Sequence, residues 1–264
     1  MSHRSKALKT KVAQGAVTLG AWVTFSEIEV IEIMVGAGFD WLMLDCEHGS
    51  IDPARLSAAL IAFNGSPTVP IVRVPSLDHA LIGRALDAGA DGVVVPMIED
   101  AVGARRAVSA SKYPPDGSRG YGPRRASGYY RGIDDYVDGA NDELLVFLQL
   151  ESLAAAANVD EIVDVGGIDA IFPGIMDLSG SAGVLRDARH PHVVAAYDTI
   201  ALGAHRRGIP LCASAWTAAE VRLRVEQGAR YLIVAFDDRL LAAASTAAVL
   251  EARRHLRALE AGRE

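Results

Sequence analysis

Seven side chains suited to acid–base or metal chemistry fall in four short clusters. Asp45, Glu47 and His48 form an Asp-x-Glu-His stretch, and Arg73 lies inside the apolar run VPIVRVP. Gln149 and Glu151 close the run LLVFLQLE, and Asp177 follows a further apolar run in FPGIMDLS. Each cluster sits in, or just past, the end of an apolar stretch. Burying a charge is strongly unfavourable unless it is paired or bound to metal, so four carboxylates, an arginine and a histidine in such places need a common purpose. A hard cation supplies one. Glu151 and Asp177 offer two oxygen ligands and leave positions for water and substrate, the arrangement that Mg²⁺ and Mn²⁺ favour. No cysteine cluster or well-placed histidine pair speaks for zinc. A 2-oxo acid held by such a cation would have an acidified methyl group. Arg73 would then stabilise the enolate oxygen, and His48, ordinarily titrating near neutrality, would serve as base. The four lysines, Lys6, Lys9, Lys11 and Lys112, all lie away from these clusters, so a Schiff-base route has no evident nucleophile.

The elements that must position these groups are legible as eight apolar runs: 18–24, 37–45, 69–75, 88–96, 144–151, 166–174, 209–215 and 228–236. In AGFDWLMLD, AGADGVVVP, GGIDAIFPG and GARYLIVAF a helical segment stops at Gly and an apolar run follows, the rhythm of a parallel sheet buried on both faces. Helical patterns separate the runs. Ser26 with Glu29, and Thr217 with Glu220, have the spacing of capping boxes. Eight strands alternating with helices predict a closed (β/α)8 barrel, with an open doubly wound sheet as the alternative. The glycine-rich phosphate loop of nucleotide-binding open sheets does not follow the first run. Residues 1–264 read as one barrel domain with a long Gly-, Arg- and Tyr-rich loop at 113–142. In such a barrel catalytic groups stand at the C-terminal ends of the strands, where the four clusters fall.

The composition narrows the partners. Half of the 264 residues are hydrophobic and the net charge is −7, which argues against nucleic acid or an anionic membrane as partner. No apolar run reaches the length of a membrane span, and the basic stretch 1–12 lacks a signal peptide's apolar core; the expectation is a cytoplasmic protein. Cys46 and Cys212 read as buried free thiols. His190 and His192 flank Pro191 at a helix start and read as surface residues. Asp237 and Asp238 read as helix caps, and RRHLRAL as a solvated or interface helix face. Arg124 and Arg125 suit either an anionic acceptor or a subunit contact.

At these residues the chain resembles the HpcH/HpaI aldolase family. GAGFDWLMLDCEHGS, IVRVP, VVVPMIED, YPPDGSRGYGPRRAS, LQLES and MDLS match in order, over about residues 14–250. The resemblance implies a (β/α)8 barrel of the phosphoenolpyruvate/pyruvate type, with the C-terminal helix exchanged between subunits of a homo-oligomer, usually a hexamer. It implies reversible aldol cleavage of 4-hydroxy-2-oxo acids to pyruvate or hydroxypyruvate plus an aldehyde, with Mg²⁺, Mn²⁺ or Co²⁺; a citrate-lyase-like C–C lyase is the alternative. Carried over by position, His48 is the base, Arg73 the oxyanion partner, and Glu151 and Asp177 the metal ligands. Gln149 and the backbone N–H of Met176 contact the oxo acid, and Asp45 and Glu47 support this set. Asp87, at a helix end, would reach the histidine of an adjacent subunit. One departure falls beside the metal aspartate: where the family has Gly-Pro-x-Asp-Leu-Ser, this chain has Pro173-Gly174-Ile175-Met176-Asp177, which predicts a differently shaped carboxylate loop.

Overall fold

A computed structural model describes residues 4–261. Eight parallel strands close in sequential order into a barrel: β1 (Thr18–Val23), β2 (Trp41–Asp45), β3 (Val69–Arg73), β4 (Gly92–Val95), β5 (Leu145–Leu150), β6 (Ala170–Pro173), β7 (Leu211–Ser214) and β8 (Ala229–Phe236). The strands are nearly all buried because each has helices on one face and the barrel interior on the other. Trp41, Met43, Ile71, Val94, Phe147, Cys212, Tyr231 and Ile233 fill the interior. The alternate residues, such as Leu42, Leu44, Val72, Val93 and Leu148, pack outward against the helices. Both cysteines are buried and free. The helix stop before β4 shows why glycine recurs there: Gly89 has φ 99°, a left-handed turn that a side chain resists.

The basic N-terminal segment forms a helix, Arg4–Ala13, across the N-terminal end of the barrel. Leu8 joins the barrel interior from below. Three of its cations meet the aspartates that precede alternate strands. Arg4 Nε lies 2.7 Å from Asp91, Lys9 Nζ 2.9 Å from Asp169 and Lys11 Nζ 3.0 Å from Asp40. These are the aspartates of the recurring AGFD, AGAD and GGID segments. Burial pushes the Asp91 carboxyl up to about 6 despite Arg4 beside it.

Three local expectations change. Thr217 and Glu220 do form a reciprocal capping box, but Ser26 and Glu29 do not. That helix begins at Ile28 with Glu27 as its cap residue, and the Ser26 hydroxyl donates to Glu27 instead. The irregular stretch placed at 113–142 ends at Gly132, where helix Ile133–Glu143 begins. Asp237 does not cap a helix in the expected way. It opens the helix Asp237–Ala261, and its carboxylate accepts from the Thr24 N–H and hydroxyl and the Phe25 N–H at 2.8–3.0 Å. Asp237 thereby clamps the end of β8 to the end of β1.

Candidate active site

The ends of β1, β2 and β3 carry one ionic network. Asp45 and Arg73 are register partners at the last positions of their strands, so their side chains meet. Arg73 Nε donates to Asp45 Oδ1 at 2.9 Å and Nη2 donates to Oδ2 at 2.7 Å, a two-pronged pair that fixes the guanidinium plane. Trp22 Nε1 donates to the same carboxylate at 3.0 Å, and the Trp22 ring lies 4.5 Å below the guanidinium carbon. Asp45 Oδ1 also accepts from the Glu47 and His48 N–H groups at 3.0 and 3.2 Å, which shapes the Asp-x-Glu-His turn. Burial pushes the Asp45 carboxyl up, yet Arg73, Trp22 and the His48 N–H outweigh it and hold it below its ordinary value. Asp45 is thus the ionised hub of the network.

Glu47 and His48 complete this side. Glu47 Oε2 lies 2.9 Å from Arg73 Nη1, an ion-pair contact without hydrogen-bond alignment. Burial raises the Glu47 carboxyl, with Arg73 and His48 opposing. The His48 side chain is 69% exposed, its Nε2 4.0 Å from Glu47 Oε1, so the ring stands free at the barrel mouth.

β5 and β6 supply the opposite side. Glu151 follows β5 directly; its Oε1 accepts from the Met97 N–H at 2.8 Å and its Oε2 from Gln149 Nε2. Met97, just past β4, has φ 56°, a left-handed conformation that aims its amide at Glu151. Gly174 leaves the room these side chains need, since a Cβ there would come within 2.7 Å of Glu151 and 3.3 Å of Gln149. Asp177 stands exposed in the first turn of helix Ile175–Ser181, preceded by exposed Met176. Pro173 lies upstream in β6, paired with Leu150, and the turn closes normally with Leu178 N–H on Gly174 O at 2.9 Å. The shifted proline therefore leaves the amides of the first turn intact.

These residues fit a divalent cation. Burial raises the Glu151 carboxyl to about 7, and the charges of Asp177 and Glu47 add to that, against the hydrogen bonds from Gln149 and Met97. Glu47 Oε2 and Gln149 Oε1 are buried acceptors with no hydrogen-bond donor. Buried oxygens without hydrogen-bond donors are what a cation, its water and an oxo acid would satisfy. Among the described residues no three His, Cys, Asp or Glu side chains are grouped as metal ligands.

Other expected residues lie elsewhere. Asp87 ends helix His79–Asp87 and pairs in its own chain with buried Arg119, at 2.6 Å, not with His48. Arg125 donates to Ala88 O at 2.6 Å and Arg124 lies over Tyr129, both in the segment beside Asp87. His190 caps helix Pro191–Arg206, accepting from the His192 N–H. Trp22, Met97, Phe172 and Phe236 are site residues that sequence reasoning missed. Trp22 stacks on Phe236 at 5.3 Å and meets Phe172 at 5.8 Å, an aromatic wall at the mouth. Only the alternation of Trp22 within its strand hinted at it, and a left-handed methionine has no sequence signature.

The fold and this site define a (β/α)8-barrel enzyme with an acid–base centre at the C-terminal ends of its strands. Comparison with known proteins gives the family. The profile of the HpcH/HpaI aldolase/citrate lyase family matches residues 18–244. The hydroxypyruvate/pyruvate aldolase of Roseovarius nubinhibens is 35% identical over 243 residues, 92% of this chain and 95% of that one. The 5-keto-4-deoxy-D-glucarate aldolase of Salmonella arizonae is 36% identical over 231 residues, 87% of this chain and 90% of that one. The crystal structure of an HpcH/HpaI aldolase/citrate lyase family protein from Burkholderia cenocepacia superposes with a TM-score of 0.87 at 33% identity, covering 94% of this chain and 99% of that one. The chain belongs to the HpcH/HpaI aldolase/citrate lyase family, and it is a lyase of the aldolase type.

Proposed function

We propose that this enzyme catalyses reversible aldol cleavage of 4-hydroxy-2-oxo acids to pyruvate or hydroxypyruvate and an aldehyde, with Mg²⁺ or Mn²⁺, and Co²⁺ as a substitute, held by Glu151 and Asp177. The observation that carries this reading is a Glu151 carboxyl that burial raises to about 7, with the charges of Asp177 and Glu47 adding to the rise, and two buried oxygens, Glu47 Oε2 and Gln149 Oε1, that lack hydrogen-bond donors. The bound cation would supply Lewis acidity toward the oxo acid. Arg73, its plane fixed by Asp45, presents a positive charge to the oxygen that becomes negative on enolisation. His48, free at the mouth, takes the proton from the donor carbon and returns it. Gln149 and the Met176 N–H position the oxo acid. All four lysines are engaged away from the mouth: Lys6 with Glu143, Lys9 with Asp169, Lys11 with Asp40 and Lys112 with Asn141 O. A Schiff base has no amine there to form on.

The reading includes a shared site in a cytoplasmic homohexamer, in which Asp87 of one subunit stands by His48 of the next. The 25-residue helix Asp237–Ala261 supports assembly: among its residues only Asp237 is buried, while Leu240, Leu241, Val249 and Leu250 are exposed. A helix with such a bare apolar complement is suited to exchange with a second copy. The test is exchange of pyruvate methyl protons in D₂O, followed by proton NMR with Mn²⁺ and with EDTA. Exchange that needs the metal and is lost in His48→Ala is expected; metal-independent exchange, or none with any metal, refutes the reading. Light scattering of the purified enzyme reads the hexamer separately.

A further inference from the structure

We propose that Arg119 is a positioning residue that acts across the subunit boundary: it fixes Asp87 in the orientation in which that carboxylate steadies the His48 ring of the next subunit. This rests on the shared-site reading above. Within one chain the base lacks support. Among the described residues the His48 ring makes no hydrogen bond in its own chain; it is 69% exposed, with Glu47 4.0 Å from Nε2. A histidine base needs a group on its other nitrogen to hold the tautomer and the ring plane.

Asp87 is poorly placed to be that group unaided. It is the last residue of helix His79–Asp87, where the carbonyl end of the helix disfavours a carboxylate. Arg119 offsets this, since its Nη2 donates to Asp87 Oδ1 at 2.6 Å and to the Tyr136 hydroxyl oxygen at 3.0 Å. The Tyr113 and Tyr136 rings lie 4.5 and 5.6 Å from the guanidinium carbon and restrain it. The loop carrying Arg119 is also tied to the start of the same helix. Ser118 O lies 2.9 Å from His79 Nε2, and the Arg119 N–H donates to Lys112 O at 2.9 Å. Gly117 permits this approach, because a Cβ there would come within 2.4 Å of Lys112 O. With Oδ1 held, Asp87 Oδ2 accepts no hydrogen bond among the described residues. Gly122 keeps the space beside it clear, since a Cβ there would come within 3.2 Å of Oδ2. The Asp87 side chain is 29% exposed and that of Arg119 is fully enclosed, so the carboxylate, not the guanidinium, faces a neighbour.

Stability is a poor account of this pair. Arg119 Nε and Nη1 are buried without hydrogen-bond partners, and a buried cation with two unpaired donors is unfavourable. What the arrangement supplies is a carboxylate with one oxygen fixed and the other free, the geometry in which a carboxylate orients a histidine base.

The test is subunit complementation. Two variants with different affinity tags are co-expressed, and oligomers retaining both tags are assayed for pyruvate methyl-proton exchange with Mn²⁺. His48→Ala with Asp87→Asn is the control, because a mixed oligomer joins an intact His48 of one chain to an intact Asp87 of the other. By itself Arg119→Met is expected to lower kcat for exchange by roughly 10- to 100-fold, the range for losing a group that orients a catalytic one, with the pyruvate KM unchanged. Arg119→Lys, which keeps a cation, is expected to recover part of the loss. In mixed oligomers Arg119→Met is expected to be rescued toward the control level by His48→Ala, which brings an intact Asp87–Arg119 pair to its histidine. Asp87→Asn is expected not to rescue it, since neither chain then carries both residues. Arg119→Gln reads the same pattern if the methionine chain does not assemble. Unchanged kcat, a loss confined to KM, or rescue by Asp87→Asn overturns the proposal. So does failure of His48→Ala to rescue, the result of a structural role in the chain's own barrel. If the control pair itself gives no exchange, the shared-site reading falls and the proposal with it; a working control without rescue of the Arg119 variants fells the proposal alone.

Discussion

Replacing Glu151 by glutamine tests whether this carboxylate is held in a site built for a cation. Its side chain is 8% exposed, and burial raises it from 4.5 to about 7. At about 1.4 kcal/mol per pH unit, keeping it ionised in the folded, metal-free protein costs about 3 kcal/mol. The sign follows from the direction. A carboxyl raised on folding contributes stability that is complete below its unfolded value and is lost as the pH rises through the folded one. Metal-free wild type is therefore expected to lose stability between about pH 4.5 and 7, where the unfolded chain has ionised and folded Glu151 is still protonated. Glutamine mimics the protonated acid at every pH. E151Q is expected to match the wild type in EDTA near pH 4 and to exceed it by up to about 3 kcal/mol at pH 8, while losing metal-dependent exchange. Urea unfolding at fixed protein concentration, with EDTA, at both pH values measures this. Equal stability of E151Q and wild type at pH 8 would refute the reasoning. Metal affinity gives an independent reading: the proton must leave before the cation binds, so apparent affinity should rise about tenfold per pH unit below 7 and level off above it.

Arg4→Ala leaves Asp91 buried without its partner, and a loss of about 3 kcal/mol is expected at pH 8. Because Asp91 already titrates near 6, the loss should shrink at pH 5, where the carboxyl is neutral; urea unfolding at the two pH values checks it. Asp45→Asn breaks the two-pronged pair and leaves Arg73 without its main counter-charge. A loss of about 3–5 kcal/mol is expected, together with loss of pyruvate exchange even at saturating Mn²⁺. Thr217→Ala opens the capping box at a site exposed to solvent, and about 1 kcal/mol should be lost by thermal unfolding, with exchange unaltered.

The barrel was legible because parallel strands covered on both faces must be written as continuous apolar runs, and all eight runs became strands within a residue or a few. The charged cluster was legible for a related reason: polar residues at the ends of such runs stand out against them. Helix Ile133–Glu143 was not legible, because IDDYVDGANDE buries only Ala140 and carries acidic and glycine residues that read as loop. Ser26 illustrates the limit of short patterns, since its hydroxyl found Glu27 next door and the helix began two residues later. The contacts hardest to read were those between ends of the chain far apart in sequence. Arg4, Lys9 and Lys11 each meet an aspartate that stood in plain sight in the repeated segments before β2, β4 and β6, yet nothing local says that one helix will cross all three. Asp237 is the same case at the other end of the barrel. As a residue between a strand and a helix it has the look of a cap, and only closure of β8 against β1 turns it toward Thr24 and Phe25. Barrel closure thus creates two kinds of site that sequence order hides: a plug at the N-terminal end, and at the mouth the β1–β8 seam where Trp22 meets Phe236. If that seam positions the acceptor, differences in aldehyde preference within the family should concentrate in the residues flanking β8 and β1 rather than beside the carboxylate pair.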